Sequence, residues 1–494
     1  MCGFVCLWRC GDDALARRML DRVAHRGPDE AEVRAPAGVP AIMAHARLAI
    51  IAPDDGRQPL SHGGDWLVAN GEIYNHRDLR AGLGAGACRS GSDSEPILHL
   101  HRPGDAGWVS RLDGMFAFVL AGPERIVAAR DPLGIKPLYV ARLGGGLAFA
   151  SEVKAFDGLG VAAVEAVPPG HLFDSQDGIK RWYRLPAGAA DLEVDVEAVA
   201  AELREVLERA VDKWMLADVE LGSFLSGGLD SSIIAALAQA RLDRPLNTFA
   251  VGTAGSPDLA AARRVADHIG SRHHEFTFTA DDLAAALPDV LYHLEACDPD
   301  SVRSAMPTWF VARLACQHLK VVLTGEGADE LFAGYAYHHG YAGRPRALAD
   351  ELSRGLQAMH NINLQRVDRV TMAHGLEART PFLDRDLIAY AQSIPAELKL
   401  SVMADGTTVE KWILRRAVAD LLPADIVWRK KAQFDEGSGA VAALDAALAQ
   451  WLGDKAGDRA AEAALYERLL RARFAEPELV LSTAGTWAAD RVVA

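Results

Sequence analysis

Between Leu185 and Val196 the hydrophobic period of the chain changes, and no single layered sheet accommodates both patterns. Before the change, short β-rich runs alternate with Gly and Pro: GFVCLW, DWLVANGEIYN, GMFAFVLAG, RIVAARD and GLAFASE. One helical repeat, DALARRMLDRVAH, interrupts them. A strand-dominated α+β unit is expected there. After the loop-like LPAGAADLEVDV, the segment DVEAVAAELREVLERAVDKWML repeats apolar residues at three- and four-residue spacing. Strands and helices then alternate: VELGSFL with SSIIAALAQARL, LNTFAV with DLAAARRVADHI, HHEFTF with DDLAAALPDVLYHLEA, and WFVARLACQHL with KVVLTG. Such alternation predicts a doubly wound parallel α/β sheet, whose ligands sit at the carboxyl ends of strands. LSGGLDSS and LTGEGADE both fall at such ends. From about Tyr335 onward the pattern is mainly helical. With 494 residues the chain is too long for one ordinary core, and the expected domains are 2–185 and 196–494.

Composition narrows the functional classes. A net charge of -15 and the lack of any long Lys/Arg run argue against general nucleic-acid binding, which needs a basic face. Six cysteines in so long a chain form no disulfide framework, and the spacing of Cys2, Cys6 and Cys10 matches no standard zinc pattern. No stretch reads as transmembrane, and MCGFVCLWRCGDD lacks a basic leader, so cytoplasmic residence is the expectation. An acidic protein that handles ATP or an acidic amino acid must supply local cations or magnesium where those anions bind.

Cys2 becomes the first residue if Met1 is removed, placing a thiol nucleophile and an α-amine base on one residue. A lone Met-Cys more often marks a buried strand cysteine, so the surrounding sequence decides. RGPD (Arg26–Asp29), HARLAI (His45–Ile50), NGEIYN (Asn70–Asn75), GSDSE (Gly91–Glu95) and ARDPLGIKPLY (Ala129–Tyr139) follow in order. Together with MCGF they resemble the class II glutamine amidotransferase domain, which implies an N-terminal-nucleophile αββα sandwich. By that resemblance Cys2 attacks the glutamine amide and forms a thioester. Arg47 would clamp the substrate α-carboxylate, Asp93 its α-ammonium, and Glu72 would help bind the amino acid. Asn70 and the Gly71 backbone N–H would form the oxyanion hole. Leu48, Ala49, Ile50 and Ile51 complete the implied glutamine pocket. Singly, Arg47 and Asp93 read as surface ion-pair residues and Asn70-Gly71 as a hairpin turn.

In the second half, Ser226-Gly227-Gly228-Leu229-Asp230-Ser231 lies between an apolar strand and a helix. Small residues there expose backbone N–H groups to phosphate, and a helix N-terminus favours the anion. The segment resembles the pyrophosphate loop of ATP pyrophosphatases and lacks the lysine of a kinase-type P-loop. LTGEGADELFAGY (Leu323–Tyr335) resembles the signature of asparagine synthetases, as do GLEARTPFLDRDL and the stretch from VEKWILR to KKAQF. The resemblance implies that Asp230 and Asp329 hold magnesium with pyrophosphate, and that Glu326 supports formation of β-aspartyl-AMP and attack by ammonia. It also implies that Lys431 stabilises the phosphates and Arg303 binds the aspartate carboxylate. By the same resemblance Phe224, Leu225, Val251, Thr324 and Gly325 fall at positions that contact the nucleotide in that family, or are sheet core. One departure is CDPDSVR, where that family places threonines and this chain has Asp300 and Ser301.

The implied whole is glutamine- and ATP-dependent asparagine synthesis from aspartate, in a homodimer without nucleic-acid or membrane partners. An enzyme that amidates or cyclises another carboxylate by the same chemistry stays open, with Asp300 as its support. A β-lactam-forming branch has lost the terminal cysteine that is present here. A silent scaffold would have eroded site residues, and none is eroded.

Overall fold

The structure, a computed structural model, describes residues 2–189, 194–430 and 434–485. Among these, twelve strands precede the period change: β1 Cys2–Trp8, β2 Glu30–Arg34, β3 Ala41–Arg47, β4 Leu60–His62, β5 Asp65–Ile73, β6 Gly114–Ala121, β7 Ile126–Arg130, β8 Tyr139–Leu143, β9 Gly146–Ala150, β10 Glu165–Ala166, β11 His171–Asp174 and β12 Gly178–Arg181. They form two six-stranded sheets, ordered β10-β8-β9-β1-β3-β2 and β12-β11-β7-β6-β5-β4. Side-chain alternation builds the layers. Along β1, Phe4, Cys6 and Trp8 enter the core between the sheets, whereas Val5 and Leu7 meet Ala16, Met19 and Leu20 of the helix Asp13–Asp21. Along β6, Ala117, Val119 and Ala121 face inward, whereas Phe116, Phe118 and Leu120 pack under Leu79, Ile97 and Leu98. With both faces covered, β1 and β6 are buried throughout, and the result is an αββα sandwich.

Beyond the period change, β13 Leu221–Phe224, β14 Asn247–Gly252, β15 Arg272–Thr277, β16 Val321–Leu323 and β17 Glu377–Arg379 pair in parallel in the order β15-β14-β13-β16-β17. The chain starts in the middle of this sheet, runs to one edge, then returns to the other side. Its switch point therefore lies between β13 and β16, where a crevice opens beyond the carboxyl ends. The fifth strand sits in GLEARTPF, in a region that the sequence pattern gives as helical. Its three residues are too few to show a period, and pairing with β16 makes them a strand.

The two halves share buried contacts. Leu48, Ile50, Ile51, Tyr74, Met115, Leu133 and Ile135 join one apolar cluster with Trp214, Phe332 and Phe382. Near the chain end, Leu470, Phe474, Leu479 and Val480 return to cover Val153, Phe156 and Val161. No helix among the described residues is long and apolar enough to cross a membrane.

Candidate active sites

The first site forms where β1, β3 and β5 meet. Register places Cys2 opposite Arg47 on β3, and Cys2 is buried. Its backbone nitrogen donates to Asn70 Oδ1 at 2.9 Å, and its carbonyl accepts from Arg26 Nε at 3.1 Å. Burial pushes the thiol up, against the pull of a Leu48 backbone hydrogen bond and the Arg47 charge. Because Cys2 takes Asn70 Oδ1, the amide is oriented, and Asn70 Nδ2 is left buried without a hydrogen-bond partner. A buried donor without a partner costs about 1–3 kcal/mol unless an anion meets it. Gly71 follows with φ +136, and a Cβ there would stand 2.0 Å from Met115 O, so only glycine fits.

Glu72 and Asp93 are both buried nearby. Burial raises both carboxyls, Glu72 further because Glu377 and Asp93 crowd it, with Arg379 as partial offset. Asp93 Oδ2 accepts the Ile73 N–H at 2.7 Å. Arg379 Nη2 stands 3.6 Å from Glu72 Oε2, whereas among the described residues no Lys or Arg ion pair reaches Asp93, so Asp93 is the carboxyl placed for an ammonium. Arg47 is placed differently from the clamp expected of it. Nη1 donates to Pro53 O at 2.8 Å and Glu30 at 3.2 Å, and Nη2 to Ala52 O at 2.7 Å and Ile51 O at 3.3 Å. Its terminal donors hold the loop after β3, so its paired fork is not open to a carboxylate. In that loop Ala49 N–H donates to Asp29, and Leu48, Ile50 and Ile51 point into the apolar seam between the halves.

The second site is a cavity of about 650 Å³ at the switch point. Phe224, Leu225, Ser226, Gly228, Asp230, Ser231, Thr324, Gly325, Glu326 and Asp329 all line it. The loop after β13 is shaped by its own hydroxyls: Ser226 and Ser231 Oγ lie 3.0 Å apart, and Ser232 Oγ donates to Gly228 O at 2.7 Å. The helix Leu229–Gln239 begins there with no side-chain cap, which leaves its first N–H groups for a ligand. Gly325 lets the second loop close on the first, since a Cβ there would stand 2.8 Å from the Asp230 Cβ. Glu326 Oε1 meets Arg366 Nη2 at 2.5 Å, and Arg366 Nη1 reaches Thr308 Oγ1 at 3.3 Å.

Lys411 completes the site, and sequence patterning gave it no role. Its Nζ lies 2.5 Å from both Asp230 Oδ2 and Asp329 Oδ1. Burial would push this ammonium down, but the two carboxylates overcome it and raise it. The residue has φ +55, a conformation that costs a non-glycine residue about 1–3 kcal/mol and collects at functional sites. Its signal was its place in VEKWILR, the segment that resembles the family without a residue-level role. Asp230 Oδ1 remains buried and without a hydrogen-bond partner, a hard oxygen donor beside a second carboxylate, so the residues fit a magnesium ion.

Arg303 and Gly227 depart from the expected cavity lining, and Val251 takes its sheet-core alternative. Arg303 is not on the cavity wall. Its Nε donates to Glu462 at 3.0 Å and its Nη2 to Asp445 at 2.5 Å, so two carboxylates saturate it. Val251 belongs to the core behind β14 with Val302 and Phe310. Gly227 turns away, against Ala261 and Ala262. Lys431 lies outside the described residues. Asp300 does face the cavity, but Arg459 pairs it at 2.9 Å, so it brings no unbalanced charge.

One helix, Asn363–Met372, touches both sites. Arg366 serves the cavity, whereas Asp368 binds Arg26 at 2.8 and 3.2 Å and Lys136 at 3.4 Å. Arg26 in turn binds Glu152 at 2.6 Å and the Cys2 carbonyl.

A cysteine site in an αββα sandwich, joined to a Gly/Ser phosphate-type loop at the switch point of a parallel sheet, defines a two-site amidotransferase with a nucleotide-using second half. Family models agree: residues 1–170 match "Glutamine amidotransferase domain", and residues 202–349 and 341–491 match "Asparagine synthase". The chain is 40% identical over 465 residues to asparagine synthetase [glutamine-hydrolyzing] 2 of Arabidopsis thaliana, covering 89% of this chain and 79% of that one. It is 39% identical to asparagine synthetase [glutamine-hydrolyzing] of Sandersonia aurantiaca, over 89% and 87%, and 37% identical to asparagine synthetase [glutamine-hydrolyzing] 2 of Oryza sativa subsp. japonica, over 97% and 82%. The chain belongs to the glutamine-hydrolysing asparagine synthetase family.

Proposed function

We propose that residues 2–185 hydrolyse glutamine and residues 196–494 use the released ammonia to convert aspartate to asparagine at the expense of ATP, in a cytoplasmic homodimer. The observation that carries the first half-reaction is the Asn70 amide, whose oxygen is held by the Cys2 nitrogen and whose Nδ2 is kept for an anion. The Cys2 thiolate attacks the glutamine side-chain carbonyl carbon. Asn70 Nδ2 and the Gly71 N–H receive the oxyanion. Ammonia leaves with a proton from the Cys2 α-amine, which Met1 removal frees, and water then cleaves the thioester to glutamate. Glu72 and Asp93 hold the substrate ammonium.

In the cavity, the β-carboxylate of aspartate attacks the α-phosphorus of ATP, and pyrophosphate departs. The loop Ser226–Ser231 and Lys411 take the leaving anion. Asp230 and Asp329 would hold magnesium, which when bound neutralises the polyphosphate between them. Ammonia then attacks the acyl carbon, AMP leaves, and Glu326, held by Arg366, receives the proton. The apolar seam of Leu48, Ile50, Met115 and Ile135 between the halves suits neutral ammonia and excludes water.

The experiment is pyrophosphate release with ATP, magnesium and glutamine, with and without aspartate, with asparagine measured by mass. Aspartate-dependent pyrophosphate matched by asparagine supports the assignment. Glutaminase activity without either product would transfer the second half-reaction to another carboxylate.

A further inference from the structure

Away from both sites, the segment between the helix His76–Leu83 and the helix Pro96–Leu100 brings together three metal-ligating side chains that neither half-reaction uses. The Cys88 Sγ, a Glu95 carboxylate oxygen and a His99 ring nitrogen all lie within 4.8 Å of one another. Glu95 caps the N-terminus of the short helix Pro96–Leu100 and His99 follows four residues on, so they share a face. The His99 side chain is 7% exposed, and its Nε2 is buried with no hydrogen-bond partner, 3.9 Å from Glu95 Oε1.

We propose that Cys88, Glu95 and His99 form a site for a thiophilic divalent transition metal, zinc(II) foremost, which clasps the loop that carries Asp93. A thiolate, an imidazole and a carboxylate are the three zinc-ligand types, and the soft sulfur selects against magnesium and calcium. Donors around a tetrahedral zinc stand roughly 3.3–3.8 Å apart, so the ligands close by about an ångström. Glu95 is already oriented for this: Oε1 accepts the Arg89 N–H at 2.7 Å, and Oε2 accepts the Ser90 N–H at 2.8 Å and the Ser90 hydroxyl at 2.6 Å. Such outer contacts aim a ligand without using up its metal lone pair. Arg80, the competing cation, stands 3.9 Å from Oε2, on the other oxygen from the one nearest His99. The exposed His62 ring packs on His99, with the two centroids 3.9 Å apart.

Metal here would tie residue 88 to residue 99 across the turn that presents Asp93. That consequence rests on the assignment of Asp93 to glutamine binding, whereas the site itself does not. The test is cobalt(II) titration of the chelator-treated full-length protein under reducing conditions. One thiolate-bound equivalent is expected, read from a thiolate-to-cobalt charge-transfer band in the near ultraviolet that zinc(II) abolishes by displacement. The band should persist in Cys2→Ala and vanish in Cys88→Ser, and His99→Gln should weaken cobalt binding by at least about tenfold. No charge-transfer band in the unsubstituted protein, or a band that survives Cys88→Ser, overturns the site. With magnesium kept in excess, a zinc-selective chelator should also raise the KM for glutamine without changing ammonia-dependent turnover. An unchanged KM with metal bound overturns the link to Asp93.

Discussion

Replacing Asp368 by Asn removes one charge and little volume from a deeply buried ion network. Among the described residues this network joins Arg26, Lys136, Lys154 and Arg369 to Glu152, Glu295 and Asp368. All seven side chains are 4% exposed or less. Four cations already face three carboxylates, so the substitution leaves a second cation uncompensated in a site that water does not reach. Breaking a buried pair in this way costs about 3–5 kcal/mol. Arg26 and Lys136 belong to the first half and Asp368 to the second, so the loss weakens the seam between them. The pH dependence gives a second handle. Burial raises the Asp368 carboxyl, but Arg26 and Lys136 overcome this and hold it below its ordinary value. A depressed folded pKa contributes stability that is present above the unfolded pKa, about 3.9, and is lost as pH falls through the folded one. Urea unfolding of the wild type and Asp368→Asn should therefore differ by about 3–5 kcal/mol at pH 7 and converge in strong acid. Because Arg26 also holds the Cys2 carbonyl, glutamine-dependent turnover should fall more than ammonia-dependent turnover. A difference under about 0.5 kcal/mol at pH 7, or one that persists unchanged in acid, would refute the argument.

Lys411→Met should slow aspartate-dependent pyrophosphate release by about 10²–10³-fold and spare glutaminase activity, measured on the same preparation. Asn70→Ala should lower glutamine hydrolysis by a similar factor and leave synthesis from ammonia intact; equal loss of both would separate Asn70 from the oxyanion role. Arg303→Ala should act on stability, at about 1–3 kcal/mol, because it takes the nearer of two cations from the buried Glu462 carboxylate and leaves only Arg459, at 3.4 Å. A raised KM for aspartate at unchanged stability would restore the substrate-binding role. Burial and the neighbouring Asp329 push Glu330 up to about 7. A carboxyl raised in the folded state contributes stability present below its unfolded pKa and lost as pH rises through the folded one, here about 3 kcal/mol across pH 4.5 to 7. Glu330→Gln should flatten that slope, read from unfolding midpoints across this range.

Much of the architecture was legible in the sequence because it rests on local periods. Alternation along GFVCLW and GMFAFVLAG sends successive side chains to opposite faces, and strand-loop-helix order around SGGLDSS predicts a phosphate-type crevice. The proposed site segments follow the same rule: Asn70-Gly71 and the loops after β13 and β16 are single short stretches of consecutive residues. What the sequence did not carry is which distant charges meet. Lys411 reaches Asp230 across 181 positions, Asp368 reaches Arg26 across 342, and Arg303 is drawn from the cavity by Glu462 across 159. The short strand β17 likewise exists because β16 offers it an edge. An ion pair or a ladder requires two groups within about 3 Å, and no local period encodes that distance. The sequence thus determined the elements and their loops, whereas burial of unlike charges between the two halves, which tolerates no unmatched ion, was decided only when the chain had folded.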